Sequence, residues 1–354
     1  MRILAAAPGP NFSVQDVHVG WVEALRELGQ TVVEFNLSER LTFYDAALLE
    51  VGRAADGSAA VRKALSAQQA QELAVNGLYA ALYKVRPHLL LVTSAFFVPP
   101  ELLDLARASR TKVVLLHTEE PYEHARQLAL AEHADLNLIN DPTNLAAFQA
   151  LGPAEYIPHA YRPAIHHPGM PHPALAADLA FVGTGYASRV AFFEAMANGG
   201  RLDDLDILLA GNWQQLDESS PLRAYVAHDD ADCLDNTQAA AIYRSMRVGL
   251  NLYRREAETP ELAAGYAMGP REVEMASCGA FFLRDPRPEG DEALGMLPTF
   301  TGPDDASEQL RWWLTHPTER QSAADQARAA IAGRTFTAHA TALLRHLDRE
   351  PVTT

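Results

Sequence analysis

The stretch Gly269-Pro-Arg-Glu-Val-Glu-Met-Ala-Ser-Cys-Gly-Ala-Phe-Phe-Leu283 predicts a helix followed directly by a strand. The helix is expected to begin at Gly269-Pro270, because a proline in the first turn loses no needed hydrogen bond. A helix N-terminus offers free N–H donors and a positive dipole end, and Arg271 adds a permanent charge. We therefore predict an anion site here, with Arg271 facing a phosphate and Glu274 accepting hydrogen bonds from a ribose diol.

The run from Arg271 to Gly279 resembles the donor-nucleotide motif of GT-B glycosyltransferases, in the CgeB-like branch of the family 4-type (group 1) enzymes. Residues 178–189, Asp-Leu-Ala-Phe-Val-Gly-Thr-Gly-Tyr-Ala-Ser-Arg, and residues 156–161 are similar to further parts of that family. The likeness spans residues 136 to 346. The chain departs from the pattern at Tyr266, where family 4-type enzymes often carry a second Glu.

The resemblance implies an α/β, GT-B-like fold of two Rossmann-like domains facing across a cleft. It further implies a transferase that takes its sugar from a nucleoside-diphosphate donor, bound by the second domain, and passes it to an acceptor hydroxyl in the first. Two alternatives stay open: an epimerase or phosphorylase on the same scaffold, and a non-catalytic nucleotide-sugar sensor or scaffold, which Tyr266 makes plausible.

Composition sets the broad class. The 354 residues, 48% hydrophobic and 21% charged, can bury a large core and fit two domains. No apolar run reaches the roughly 18 residues that span a bilayer, and no signal segment opens the sequence, so we expect a cytoplasmic protein. The net charge of −16 disfavours general nucleic-acid binding, since that affinity comes largely from Lys and Arg.

Apolar strand-like runs alternate with helix-like ones throughout, which predicts parallel sheets covered by helices. We predict an acceptor domain over residues 1–160, a Pro/His-rich hinge over 161–176, a nucleotide-sugar domain over 177–333, and a C-terminal helix and tail over 334–354. Within the first domain, residues 59–85 are expected to form one or two Ala-rich helices. Residues 222–226 are expected to form a strand of the second domain.

The Gly183-Thr184-Gly185 turn ends a predicted strand, and Arg189 follows at the start of the next helix. Glycines let the backbone approach a pyrophosphate, and Arg can pair with it bidentately. Glycine also serves ordinary turns, so the pattern alone is weak. The resemblance turns it into a predicted donor site.

Three further donor-site candidates lie at strand ends of the second domain. The side-chain amides of Asn212 and Asn251 could read a base edge or a sugar hydroxyl, or could simply close a turn. Tyr253 could stack on the base, although aromatic residues at strand ends are more often core or rim.

The segment His117-Thr-Glu-Glu-Pro-Tyr122 leaves a first-domain strand at its ligand-facing end. An inverting sugar transfer needs a base near the acceptor hydroxyl, and Glu119, Glu120 and His117 are the candidates. The two Glu residues could equally start a helix, where acids favour the dipole. His18 and the loop around Asn11 form a second acceptor-side candidate.

No metal or separate cofactor is predicted. The D-x-D pair Asp230 and Asp232 is read as solvated turn residues, and the histidines of the hinge lack nearby Cys or carboxylates. The acceptor, the sugar and the stereochemical course are not predicted by the sequence.

Overall fold

The computed structural model describes residues 1–9, 15–46, 48–229, 234–257 and 264–349. The chain divides into two compact units. The first comprises Met1–Asn140 and Asn144–Ile157, and the second comprises Asp141–Thr143 and the chain from Pro158 onward. No helix among the described residues is long and apolar enough to cross a membrane.

The first unit is built on a six-stranded parallel sheet in the order β2-β1-β5-β6-β7-β8. Its sheet strands are β1 Arg2–Ala6, β2 Thr31–Phe35, β5 Leu89–Thr93, β6 Lys112–His117, β7 Leu136–Ile139 and β8 Ala154–Tyr156. Its helices are α1 Gln15–Glu27, α2 Leu37–Ala46, α3 Ala67–Val85, α4 Pro100–Ala108, α5 His124–Leu128 and α6 Leu145–Gln149. Every residue of β5 is buried, as expected of a strand covered on both faces.

A separate antiparallel hairpin, β3 Leu49–Arg53 and β4 Ala59–Lys63, corrects the helical prediction for residues 59–85. Helix α3 begins only at Ala67, where Ser66 forms a capping box with Gln69. The hairpin turn contains Gly57 with a positive φ of 82°, and Asp56 accepts hydrogen bonds from Ser58. This Asp-Gly turn signal was outweighed in the sequence by the surrounding alanines.

The second unit contains a five-stranded sheet whose pairings are parallel, in the order β11-β10-β9-β12-β13. The strands are β9 Ala177–Val182, β10 Ile207–Gly211, β11 Val226–Asp229, β12 Met246–Asn251 and β13 Phe282–Arg284. The helices are α7 Ala187–Asn198, α8 Asn236–Ser245, α9 Pro270–Ser277, α10 Pro288–Ala293, α11 Pro303–Thr315, α12 Pro317–Ala330 and α13 Phe336–Arg349.

Two elements of the second unit differ from the sequence prediction. The strand expected at 222–226 is a 3-10 helix over Pro221–Tyr225, and β11 follows it. Proline at the first helical position and the Ser220 side chain, which accepts from the Leu222 amide, favour the helical turn. The short helix α10 was not predicted.

The predicted hinge, residues 161–176, belongs to the second unit and is tied to its helices. Arg244 of α8 donates to the Ile165 carbonyl at 3.1 Å, and the His172 amide donates to Ser245. His166 is buried rather than solvated, which corrects its reading as a linker histidine.

Candidate functional site

Arg271 is the second residue of α9 and lies half-buried at the carboxyl edge of the second sheet. Its Nη1 donates to Asn251 Oδ1 at 2.7 Å, and its guanidinium carbon lies 4.9 Å from the centre of the Phe181 ring. Among the described residues no carboxylate lies within salt-bridge distance of it. Its charge is therefore met only by neutral groups, and a partly buried cation of this kind favours an anionic ligand.

Asn251 supplies a second unsatisfied group at the same place. It ends β12 and is 1% exposed. Because its Oδ1 accepts from Arg271, its amide orientation is fixed, and its Nδ2 finds no acceptor among the residues that the structure describes. A buried donor without a partner costs about 1–3 kcal/mol, so an acceptor-rich ligand is favoured here too.

Gly183 allows Arg271 to lie against the backbone at the end of β9. It has a φ of +152°, and a Cβ added to it would stand 2.6 Å from Arg271 Nη2. Gly211, at the end of the neighbouring β10, has a φ of +135°, and its Cβ would meet the Gly183 carbonyl oxygen at 2.4 Å. Glycine is thus required at both positions, for conformation and for close approach.

Substituting Gly183 with Ala should displace the Arg271 guanidinium and strain the turn. We expect the variant to fold but to bind a nucleoside diphosphate about tenfold or more weakly, since about 1.4 kcal/mol of lost contact gives that factor. Titration calorimetry of Gly183→Ala measures this. Gly302→Ala is the control, because a Cβ at Gly302 meets nothing within 4 Å. Equal affinity of Gly183→Ala and wild type would show that the Gly183 turn does not shape the site.

Arg189 lies in the first turn of α7, where the sequence placed it. It is 7% exposed, and its guanidinium donates to the Leu252 carbonyl at 3.1 Å and the Thr184 carbonyl at 2.9 Å. It therefore joins the chain segments that follow β9 and β12. These two bonds to backbone carbonyls hold the turn in place, and a phosphate contact by the other N–H groups of Arg189 stays a prediction.

The backbone leading into α9 is held by acids. The amides of Tyr266 and Ala267 each donate to Asp141 at 2.8 Å. The Met268 amide donates to Glu289, and the Gly269 amide donates to Glu272. Pro270 has no N–H group. These bonds fix the segment that leads into α9, and the anion site at the first turn of the helix stays a prediction.

Glu274 lies on the same face of α9 as Arg271, three residues further along. It is half-buried, and the Tyr243 hydroxyl donates to its Oε2 at 3.4 Å. Burial and the nearby Glu274 raise the Tyr243 pKa well above its ordinary value, so the phenol stays neutral. Glu274 thus lies one turn from Arg271, and its contact with a ribose stays a prediction.

Tyr253 is a core residue, which corrects its predicted role in stacking on a base. It is 7% exposed, and its hydroxyl donates to the Glu272 carboxylate. The Arg287 guanidinium lies 4.3 Å from the centre of its ring. Burial raises the pKa of Glu272 to about 7, although the bonds from Tyr253 and Gly269 oppose that shift. The buried contact between Tyr253 and Glu272 thus supports the start of α9.

The side-chain oxygen of Asn212 forms a local hydrogen bond. Its Oδ1 accepts from the Gln214 amide at 3.3 Å, and its carbonyl accepts from the Gly185 amide at 2.8 Å. Of the two readings that the sequence left open, the structure thus favours turn closure for that oxygen.

The sequence analysis missed Arg254, which follows Tyr253 directly after β12. Its guanidinium lies 5.2 Å from the centre of the Tyr186 ring, and that of Arg189 lies 5.0 Å from the same ring. The adjacent Arg255 donates to both carboxylate oxygens of Asp285, at 2.7 and 2.8 Å. The sequence does show two neighbouring arginines just past the end of a strand. It could not show which of them contacts an aromatic ring and which pairs with a carboxylate.

In the first unit, His117 is a packed core residue and not an exposed base. It is 3% exposed, its Nε2 lies 2.8 Å from Asn137 Oδ1, and its ring lies 4.8 Å from that of Phe148. Burial lowers its pKa to about 4. His117, the last residue of β6, therefore points into the core, and this position gives no support to its predicted role as the base.

Glu120 is also buried, at 2% exposure, and its carboxylate accepts from His124, Gln127 and Asn144. A carboxylate so occupied is not placed to take a proton from a substrate itself. Glu119 is half-buried at the start of the same loop, and its role stays a prediction.

The second acceptor-side candidate loses support. His18 is 2% exposed within α1, with Thr93 and Glu34 beside its ring nitrogens at 3.5 and 3.6 Å. Burial lowers its pKa, against the opposing effect of Glu34. Asn11 lies outside the described residues.

No cluster of three or more His, Cys, Asp or Glu side chains that could hold a metal ion occurs in the described ranges. Asp230 and Asp232 lie outside them. Their neighbour Asp229 accepts from the Trp213 amide at 2.8 Å and lies 3.4 Å from Arg223.

Comparison with solved structures defines the class of fold. The chain is similar to the sucrose-phosphate synthase of Thermosynechococcus elongatus, with a TM-score of 0.67, 13% identity, and 98% of this chain and 99% of that chain covered. It is similar to the E. coli structure titled "Trehalose-6-phosphate … bound with UDP-2-fluoro glucose", with a TM-score of 0.61, 12% identity and 99% of both chains covered. An α-glucosyltransferase in complex with UDP and a 13-mer DNA gives 0.62, 12% identity, and 99% and 100% coverage.

The predicted α/β, GT-B-like fold is confirmed, because these glycosyltransferase structures match the chain over its whole length. Residues 185–345 also match a family model described as "Glycosyl transferase-like". No curated protein sequence matches. The family match and the fold support a glycosyltransferase, and the CgeB-like branch stays a prediction.

Proposed function

We propose that the protein transfers a sugar from a nucleoside-diphosphate sugar to an acceptor hydroxyl, with the diphosphate bound in the second unit. The observation that carries the proposal is the half-buried guanidinium of Arg271, which has no carboxylate partner among the described residues. Next to it lies the buried side chain of Asn251, whose Nδ2 has no acceptor among the described residues. Two of the similar structures contain UDP-2-fluoro glucose or UDP, ligands that carry the diphosphate such a site would take.

Each residue then has a distinct task. Arg271 and Asn251 donate to the diphosphate, the Gly183-Thr184 turn lets it approach the backbone, and Glu274 accepts from the ribose. Arg189 holds the turn in place. As the bond between sugar and phosphate breaks, negative charge grows on the leaving diphosphate, and a fixed cation beside it lowers the barrier.

This arrangement predicts turnover without a metal ion, because Arg271 supplies the charge that a divalent cation would otherwise supply. Activity should survive excess EDTA, measured as release of the nucleoside diphosphate. Loss of activity with EDTA, restored by manganese or magnesium, would instead assign Asp230 and Asp232 as ligands.

A panel of UDP-, GDP- and ADP-sugars, screened by thermal shift, tests the proposed donor class, since a bound ligand raises stability by mass action. Release of free nucleoside diphosphate only when an acceptor is present separates a transferase from an epimerase or phosphorylase. Cell fractionation tests the predicted cytoplasmic location.

A non-catalytic nucleotide-sugar binder is the second candidate, and Tyr266 favours it. In the position where the family often carries Glu, the Tyr266 hydroxyl donates to Glu292 at 2.9 Å. Tight donor binding without turnover across many acceptors would support this candidate over the transferase.

A further inference from the structure

His228 lies on β11 at the carboxyl edge of the second sheet, and the sequence analysis did not single it out. It pairs in register with Ala210 of β10, but its Nδ1 reaches the carbonyl oxygen of Gly211, one residue closer to that edge, at 3.1 Å. The residue is half-buried. A hydrogen bond to the backbone thus holds the imidazole at the edge of the sheet.

The contact with Gly211 defines the tautomer of the neutral ring. A carbonyl oxygen can only accept, so Nδ1 of His228 carries the proton and Nε2 keeps its lone pair. Among the residues that the structure describes, this Nε2 has no hydrogen-bond partner. His228 therefore presents an oriented hydrogen-bond acceptor.

Close contacts join Gly211 to the proposed diphosphate site within the second unit. A Cβ added to Gly211 would stand 2.4 Å from the Gly183 carbonyl oxygen, and one added to Gly183 would stand 2.6 Å from Arg271 Nη2. The Gly183 amide also donates to the Ala210 carbonyl at 2.8 Å. Arg271 and His228 thus border the same stretch of backbone at its two ends.

The order of the strands sets the direction in which a bound nucleotide extends. The strands β12, β9, β10 and β11 are neighbours in that order, so Asn251 and His228 are three strand spacings apart, about 14 Å. Glu274, the proposed ribose contact, accepts from Tyr243 of α8, and α8 packs against β9 and β12. A nucleoside diphosphate with its phosphates at Arg271 and its ribose at Glu274 would therefore bring its base toward β10 and β11.

Resting on the proposed function, we infer that His228 reads the base of the donor nucleotide. Its Nε2 accepts a hydrogen bond from the ring N–H on the pairing edge of uracil or guanine. Adenine and cytosine carry a lone pair on the equivalent ring nitrogen, and this would face the lone pair of Nε2. Leaving a polar group of the site unpaired is an effective way to reject a ligand. The donor class is therefore a nucleotide whose base carries a ring N–H.

The test compares the affinities of UDP, GDP, ADP and CDP for wild type and His228→Asn by calorimetry. Asparagine places its Nδ2 near the position of the histidine Nδ1, so the variant keeps a donor for Gly211 and loses the Nε2 acceptor. Wild type should bind UDP or GDP more tightly than ADP and CDP. The variant should lose about 3- to 10-fold in affinity for the preferred nucleotide, which is the loss of one neutral hydrogen bond, and none for ADP.

Inorganic pyrophosphate separates base reading from an effect on the glycine turn. It has no base, so a variant that only disturbs the turn would weaken pyrophosphate and every nucleotide alike, whereas His228→Asn should leave pyrophosphate affinity unchanged. His167→Asn is the matched control, because His167 Nδ1 also lies 2.8 Å from a backbone carbonyl, that of Pro168. His167 lies beside Arg244 in the last turn of α8, at the opposite edge of the sheet, and its substitution should change no affinity.

An unchanged preference among the four nucleotides in His228→Asn, or a wild type that binds ADP or CDP most tightly, would overturn the inference. The second measurement needs no variant, so it decides alone if His228→Asn does not fold. Either result, in a protein that binds a nucleoside diphosphate, leaves the proposed transferase standing. Failure of the proposed function gives a different result: the wild type binds none of the four nucleotides, and the role of His228 falls with it.

Discussion

Substituting Arg271 with Ala is expected to weaken binding of a nucleoside diphosphate by about 1.5–3 kcal/mol, the range for a hydrogen bond to a charged group. This corresponds to a loss of affinity of about 10- to 150-fold. The reason is that Arg271 brings a charge which no described carboxylate neutralises, so the ligand gains the full charge-assisted contact. UDP and GDP titrated by calorimetry into wild type and variant measure the effect.

Two controls sharpen this prediction. Arg247 also lies in the second unit, but it is exposed and already paired with Asp178 at 2.7 Å, so Arg247→Ala should leave affinity unchanged. Arg271→Lys keeps the charge but loses the planar fork, and should fall between wild type and Ala. If Arg271→Ala keeps the wild-type affinity, Arg271 does not belong to the donor site.

Acidification should destabilise the fold through buried histidines. Burial lowers the pKa of His117 and of His166 to about 4, and nearby Arg162 adds to the effect on His166. A histidine whose pKa in the folded state lies below its unfolded value of 6.5 stabilises the fold fully above pH 6.5. This stabilisation is lost as pH falls from 6.5 toward 4. Each can cost up to about 3 kcal/mol at pH 4.

Urea unfolding at pH 7.5, 6 and 5 measures this loss. His117→Gln keeps a hydrogen bond to Asn137 but cannot titrate, so its free energy of unfolding should fall less steeply with acid. Glu272 acts in the opposite sense, because its raised pKa of about 7 gives stability below pH 4.5 that is lost as pH rises through 7. An identical acid dependence in wild type and His117→Gln would rule out His117 as a source.

The spacing of apolar residues and the positions of glycine and proline were sufficient to predict much of the fold. The alternation of strand-like and helix-like runs predicted parallel sheets, and both large sheets have parallel pairings. The start of α9 at Gly269-Pro270 likewise lies where the sequence placed it. Such local signals act within a few residues, and tertiary packing reinforced them here.

Side-chain direction was the part that the sequence could not supply. His117 and Tyr253 lie at or just after strand ends, and packing turned both inward. Glu120 was predicted as a candidate base, but the sequence could not show that Gln127 and Asn144 donate to its carboxylate. Likewise, Asp141 accepts hydrogen bonds from backbone amides more than a hundred residues away in the sequence, and no local pattern reveals such a contact.

The central claim, a nucleoside-diphosphate sugar site at Arg271, is tested most directly by nucleotide release from a donor panel. Wild type and Arg271→Ala are compared with each UDP-, GDP- and ADP-sugar in the presence of a mixed acceptor pool. The account predicts that the wild type releases one nucleoside diphosphate and that Arg271→Ala loses most of this activity while Arg247→Ala keeps it. Release at the wild-type rate by Arg271→Ala, or none by the wild type from any donor, would contradict it.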